Sequence, residues 1–249
     1  MVEANNIVFE YIRRNDNGDV EAIVKALDNI TLDIEEGQFI AILGHNGSGK
    51  STFAKTINAL LTPSEGSLYI NGYNALNKRN MWDIRQNVGM VFQNPDNQIV
   101  GTIVEEDVGF GPENLGINTQ EIWKRVDDSL EKVNMLEYRY DSPNKLSGGQ
   151  KQKVALAGIL ALKPKCIVFD ESTAMLDPAG RKEILEIINE LNKDENITVI
   201  LVTHNMEEAI GADKVFVLDS GRVVMEGTPR EIFAREEELK HYKLDVPVA

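Results

Sequence analysis

Apolar positions change period several times along this chain. Residues 7–11 and 22–27 are short β-type runs on either side of Asn15-Asp16-Asn17-Gly18-Asp19, whose Asn17-Gly18 pair predicts a hairpin turn. Residues 39–43 (Phe-Ile-Ala-Ile-Leu) are unbroken apolar, the pattern of a strand buried on both faces. A helix is predicted from Lys50 to about Leu61, closed by Thr62-Pro63. A strand at 67–70 runs into Asn71-Gly72, and another strand covers 88–92.

From about residue 94 to 162 the pattern turns acidic and then helical. Ile122, Val126, Leu130 and Val133 recur on one helical face, and the last long helix of this stretch opens near residues 146–150. Strand patterns resume at 167–169, 198–202 and 215–218, with a helix over about 181–192 between the first two. Alternation of this kind predicts an α/β fold with a mostly parallel sheet core, an antiparallel β portion near the N-terminus and an inserted α-helical subdomain. Residues 1–228 are expected to form the main unit, with the helical insertion at about 94–162. Residues 229–249 are expected to add a charged helix and a loose tail. There is no internal repeat, low-complexity tract or heptad array.

Composition narrows the function. A chain of 249 residues, 42% hydrophobic and 27% charged, has the balance of a globular protein with a sizeable core. The longest apolar run, residues 154–162, is far short of the roughly 18–20 residues that cross a bilayer. The first residues lack the basic and apolar regions of a signal peptide, which leaves the cytoplasm as the expected compartment. The net charge of −14 disfavours a nucleic-acid footprint or an anionic lipid surface. Work at a membrane would therefore run through protein partners. The single Cys166 lies in an apolar run and reads as a buried small hydrophobe.

Candidate chemistry gathers in two places. Gly44-His-Asn-Gly-Ser-Gly-Lys-Ser51 has the P-loop spacing between a predicted strand and a predicted helix, the context that pattern requires. Backbone N–H groups of such a loop turn inward around phosphate oxygens, and the helix N-terminus adds partial positive charge. Gly44, Asn46, Gly47, Ser48, Gly49, Lys50, Ser51 and Thr52 are thus candidate nucleotide contacts. Lys50 is expected on the β- and γ-phosphates, and the Ser51 hydroxyl on Mg²⁺. The second place is Cys166-Ile-Val-Phe-Asp170-Glu171, an apolar strand ending in two carboxylates. Strand C-termini of a parallel sheet line the ligand crevice. There Asp170 fits an acid that holds Mg²⁺ through water, and Glu171 one that orients or deprotonates the attacking water.

Leu146-Ser147-Gly148-Gly149-Gln150 discriminates among P-loop proteins. It repeats the signature of the ABC-type ATPases letter for letter, and with the P-loop and acidic strand it makes the chain resemble that superfamily over essentially its whole length. Ser147 and the N–H groups of Gly148 and Gly149 open a helix, itself a phosphate site. The resemblance implies that Ser147, Gly148, Gly149 and Gln150 grip the γ-phosphate held by a partner subunit. It also implies that Gln93 is the Q-loop glutamine that senses Mg²⁺, His204 the switch histidine at the γ-phosphate, and Asp177 the D-loop acid reaching across the dimer. Tyr11 becomes the aromatic expected to stack on adenine. His45 and His241 receive no catalytic role.

A narrower resemblance rests on Gln93-Asn-Pro-Asp-Asn-Gln98, Val104-Glu-Glu-Asp-Val-Gly-Phe-Gly111 and Ala157-Gly158, which are similar to the ATPases of energy-coupling factor importers. Glu171-Ser-Thr-Ala-Met-Leu-Asp177 looks like the first of the two paralogues in the heterodimeric form. The resemblance implies ATP and Mg²⁺ as cofactors, a second ATPase subunit in a heterodimer, a transmembrane coupling subunit and a substrate-binding membrane subunit. The expected location is the cytoplasmic face of the cell membrane, with vitamins or other micronutrients as cargo. The alternatives are a homodimeric cobalt or nickel importer ATPase, a soluble ABC ATPase acting on nucleic acid or ribosomes, and a regulator that binds nucleotide without hydrolysing it. The stretch between residues 51 and 146 leaves no room for the long coiled coil of chromosome-type members, and intact Glu171 and His204 weigh against the regulator.

Overall fold

The computed structural model describes residues 1–247; Val248 and Ala249, the end of the expected tail, lie outside the described residues. In chain order the elements are β1 (Val2–Arg14), β2 (Val20–Ile34), β3 (Phe39–Leu43), α1 (Lys50–Ile57), β4 (Glu65–Ile70), β5 (Tyr73–Asn74), α2 (Met81–Asn87) and β6 (Val88–Val91). There follow α3 (Val104–Asn114), α4 (Thr119–Lys132), α5 (Gly148–Leu160), β7 (Cys166–Asp170), α6 (Pro178–Lys193), β8 (Thr198–Val202), β9 (Lys214–Asp219), β10 (Arg222–Gly227), α7 (Pro229–Phe233) and α8 (Glu236–His241).

Two sheets carry the fold. A four-stranded antiparallel sheet has the order β2-β1-β4-β5, and a six-stranded sheet has the order β10-β9-β3-β8-β7-β6. Within the second, β9, β3, β8, β7 and β6 are parallel, and only β10 is antiparallel to its neighbour. This is the predicted α/β arrangement with its antiparallel β portion. The continuous apolar strands follow from double-sided burial. Phe39, Ala41, Leu43, Ile167, Phe169, Val199 and Leu201 join one core with α3 to α6. The alternate residues Ile40, Ile42, Val168, Ile200 and Val202 join the other, with α1 and the antiparallel sheet. Val126, Leu130, Val154 and Leu156 of the inserted helices belong to the first cluster, so the insertion shares the core of the sheet rather than owning one.

Several expected boundaries move. The first hairpin runs from Val2 to Ile34, well past 7–11 and 22–27, because its far half is held by strand pairing and its exposed residues carry no apolar alternation. Its loop is a three-residue one closed by Gly18 N–H to the Asn15 carbonyl and Asn15 N–H to the Asp19 carbonyl, with Gly18 at φ 87° in the left-handed position. Helix α1 stops at Ile57, four residues before Leu61. α6 begins at Pro178 rather than near 181, since proline suits the first helical turn and Asp177 caps it. Strand β10 extends the chain beyond the expected end of strand structure at residue 218. The charged C-terminal helix is two short helices, and the described part of the tail packs: Leu244 is buried in the first core cluster, as is Leu239 of α8, and Val246 lies against it. Among the described residues no helix is long and apolar enough to cross a membrane.

Candidate functional site

Parallel register brings the candidate residues to one edge. Ile42 lies opposite Val202, Val202 opposite Asp170, and Phe169 opposite Val91. Gly44, His204, Glu171 and Gln93 each follow one of these strands by one or two residues, so four separate loops leave the same carboxyl edge of the sheet.

The P-loop wraps its own lysine. Lys50, 3% exposed, donates from Nζ to the Gly44 carbonyl at 2.8 Å and the His45 carbonyl at 3.1 Å, and lies 3.5 Å from Glu171 Oε1. Burial lowers its pKa from 10.5, an effect the Glu171 carboxylate opposes. Gly49 has φ 104°, and a Cβ there would come within 2.6 Å of the Ala26 carbonyl oxygen; only glycine fits. Ser48 is fully buried, and its Oγ has no hydrogen-bond partner. A buried hydroxyl without a partner, in a glycine-rich loop that leads into a helix N-terminus, suits an incoming phosphate oxygen.

Ser51 Oγ donates to Asp170 Oδ1 at 2.6 Å, which joins the start of α1 to the end of β7. Burial raises the Asp170 pKa above 3.8, with the Ser51 bond pulling the other way. A hydroxyl and a carboxylate oxygen on the phosphate side of Lys50 form a hard-oxygen donor set, the kind Mg²⁺ prefers. The residues present therefore fit Mg²⁺.

Glu171 continues the ladder with its N–H on the Val202 carbonyl and then turns left-handed at φ 50°. Such a conformation costs on the order of 1–3 kcal/mol for a residue with a side chain and concentrates at functional sites. Its carboxylate stands between Lys50 and His204, with Oε2 at 3.8 Å from His204 Nδ1. Gln93 lies exposed one residue beyond Phe92. Tyr11 is 44% exposed, not core; its hydroxyl meets Thr52 Oγ1 at 3.3 Å and its ring stacks edge-on against Phe9. That leaves a ring face at the mouth of the P-loop helix.

The signature lies elsewhere. Ser147 and Gln150 close a capping box on α5, Gln150 N–H on Ser147 Oγ at 3.3 Å and Ser147 N–H on Gln150 Oε1 at 2.9 Å. With Gly149, Lys153, Met175 and Asp177 they line a cavity of about 680 Å³ that no P-loop residue reaches. Asn46 and His204 line a different one, of about 510 Å³, without any signature residue. The structure thus unites Lys50, Ser51, Asp170, Glu171 and His204, and keeps Ser147, Gly148, Gly149 and Gln150 apart from them. Asp177, expected to reach outward, is exposed and accepts the Gly180 N–H at 3.0 Å as the cap of α6.

One group near the site escaped sequence reasoning. Thr173 Oγ1 donates to Glu208 Oε1 at 2.8 Å, with Arg181 Nε 3.5 Å from the same oxygen. This pins the turn after Glu171 to the turn after His204. Glu208 is 5% exposed, and nothing in the run Met206-Glu-Glu-Ala209 distinguishes it from its exposed neighbour Glu207.

A P-loop on a parallel sheet, an acidic strand end beside it and a separate LSGGQ helix together define an ABC-type ATPase cassette. Comparison with known proteins agrees. Residues 27–174 match the "ABC transporter" family model. The chain belongs to that family, and within it to the ATP-binding proteins of energy-coupling factor transporters. It is 58% identical over 247 residues to the energy-coupling factor transporter ATP-binding protein EcfA1 of Clostridium novyi (strain NT), covering 99% of this chain and 86% of the relative. The protein of the same name from Clostridioides difficile (strain 630) is also 58% identical, over 99% of this chain and 87% of its own. Among solved structures, cbiO1 from Clostridium perfringens, part of the ABC transporter complex cbiONQ, superposes with a TM-score of 0.83 at 36% identity, covering 96% and 93% of the two chains. The ATP-binding cassette MJ0796, solved as a dimer in a post-hydrolysis state with ADP and Pi, gives 0.81 at 32% identity, over 92% and 99%.

Proposed function

We propose that the chain hydrolyses ATP to ADP and phosphate as one subunit of an energy-coupling factor importer, in a head-to-tail pair with a second ATPase subunit. The observation that carries this reading is the distance of the signature from the P-loop. Lys50, Ser51, Asp170, Glu171 and His204 contact one another at the sheet edge, whereas Ser147–Gln150 line a cavity that no P-loop residue reaches, so neither group can complete the other within the monomer. In the pair, each nucleotide would lie between the Gly44–Ser51 loop of one chain and the Ser147–Gln150 helix end of its partner. ATP favours closure because only the closed pair satisfies both halves.

At each site Tyr11 stacks on the base, while Lys50 and the loop amides, with the Ser48 hydroxyl, hold the β- and γ-phosphates. Mg²⁺, held by Ser51 and through water by Asp170 and Gln93, would neutralise charge between the phosphates. Glu171 accepts a proton from the attacking water, and His204 beside it contacts the γ-phosphate. Asp177 adds a contact across the pair.

The partners proposed are a second, unequal ATPase, a transmembrane coupling subunit and a substrate-binding membrane subunit. The cargo is a vitamin or another micronutrient, bound by that last polypeptide and not by this chain. Residues 1–228 would act as the cassette, its insertion at about 94–162 carrying the signature, with 229–249 appended. An apolar recess lined by Trp82, Arg85, Gly111, Leu115 and Leu162, beside exposed Phe110, would offer the coupling subunit a seat. The complex would sit at the cytoplasmic face of the membrane through these protein contacts. One second reading is a homodimeric cobalt or nickel importer, with which the likeness to cbiO1, part of the ABC transporter complex cbiONQ, is equally compatible. Affinity purification from detergent-solubilised membranes decides between them. Recovery of a second, different ATPase and a multi-span protein supports the proposal. A single ATPase species with membrane subunits favours the homodimer, and soluble partners alone contradict both.

A further inference from the structure

β6 ends at Val91, on the edge of the six-stranded sheet, so the next peptide unit lacks a full set of ladder partners. That unit is Phe92, immediately before Gln93. Its two polar groups are taken up by side-chain amides instead. The Phe92 N–H donates to Gln98 Oε1 at 3.2 Å, and the Phe92 carbonyl accepts from Gln152 Nε2 at 3.0 Å. Gln98 Nε2 in turn donates to the Ala155 carbonyl at 3.2 Å. Gln152 and Ala155 are both on α5, the helix whose first turn is the signature. Lys151, also on α5, pairs with Asp96 of the Gln93–Gln98 loop at 2.7 Å.

The strap is built rather than incidental. Gln152 is 1% exposed, and its Oε1 has no partner, so the bond to Phe92 is what holds a buried amide in place. The peptide that positions Gln93 cannot shift without breaking these bonds or carrying α5 with it. In the head-to-tail pair, Gln93 serves the ATP bound by its own P-loop, whereas Ser147–Gln150 closes on the ATP bound by the partner.

We propose that Gln98 and Gln152 are positioning residues that transmit the state of one ATP site, sensed at Gln93, to the signature helix that closes the other, and so make the two sites cooperative. The inference rests on the paired arrangement proposed above. Coupling of this kind is a free energy shared between two sites, and it is lost when the element connecting them is cut.

The test uses the purified transporter complex carrying Gln98→Met, Gln152→Met or both. Methionine keeps the length of the side chain and removes its hydrogen bonds. The rate of ATP hydrolysis is measured against ATP concentration, and binding of a fluorescent ATP analogue is measured on the isolated subunit. Expected are a Hill coefficient that falls toward about 1 and a kcat lower by about fivefold or more, with analogue affinity within about twofold of wild type. The two single variants should be non-additive, because both act through Phe92. Variants that keep the wild-type Hill coefficient and kcat overturn the strap, and so does an active wild type that shows no cooperativity. An inactive wild-type complex contradicts the paired reading instead. Should Gln152→Met fail to fold, half-buried Gln98 decides the matter alone.

Discussion

Asp170 holds its carboxyl group almost out of water, 7% exposed, with one hydroxyl donor and the Lys50 ammonium nearby. Without nucleotide this arrangement costs stability. Because burial raises its pKa, the folded chain retains a proton that the unfolded chain has already released, and stability falls as pH rises through that window. Asp170→Asn keeps the acceptor for Ser51 and removes the buried charge. The nucleotide-free variant should melt about 2–4 °C above wild type at neutral pH. That gain should shrink as pH falls through the raised carboxyl range, and Mg²⁺-ATP should stabilise the variant less; thermal melts at several pH values check all three. Glu171→Gln removes the proton acceptor but little of the binding surface. Its kcat should fall by roughly 10²–10⁴ while nucleotide affinity stays near wild type, as single-turnover and binding measurements would register. At this scale the P-loop, Asp170 and Glu171 were legible because chain order alone puts strand ends beside one another. The parts played by Gln152, by Glu208 and by Asp177 as a helix cap were not. A buried amide, a buried carboxylate and a helix cap look, in sequence, like any other polar residue.

Element ends expose the same limit more sharply. Helix α1 closes with the Leu60 N–H on the Lys55 carbonyl and the Ala59 N–H on the Thr56 carbonyl, with Ala59 left-handed at φ 53°. Glycine or asparagine is the usual occupant there, so an alanine gives the reader no stop signal and the helix was expected to run to Leu61. Asn134 does mark the stop after α4, at φ 55°. Lys243 ends α8 in the same way at φ 59°, although it is exposed and not glycine. Lys243→Gly should therefore stabilise the chain by about 1 kcal/mol by removing the left-handed cost, raising the melting temperature by about 2–4 °C in a calorimetric scan. A drop in stability would mean that the helix does not end there. The missed strand β10 had a signal: Ser220 and Gly221 are both left-handed, the two-residue turn of a tight hairpin, and Val223 to Met225 follow it. Residues 215–218 were expected as strand, but the Ser-Gly turn after them went unrecognised.

For the molecule as a whole, the division of labour between faces matters more than any single contact. The sheet edge gathers Lys50, Ser51, Asp170, Glu171 and His204 into one cluster, while Ser147, Gly148 and Gly149 at the start of α5 line a cavity that none of them reaches. The net charge is −14, and among the described residues no helix is long and apolar enough to cross a membrane. The paralogue type was visible in Gln93–Gln98 and Met175; Met175 is 64% exposed, so packing does not dictate its identity. The proposed pairing makes one demand above the rest, that the signature serve another chain's nucleotide. The direct measurement is Ser147→Arg, with ATP binding read on the isolated subunit and ATP hydrolysis read in the assembled complex. The account expects an isolated subunit that folds and binds ATP within about twofold of wild type, and a complex whose hydrolysis falls by roughly a hundredfold. An isolated variant that loses its ATP affinity, or a complex that hydrolyses at the wild-type rate, would contradict it.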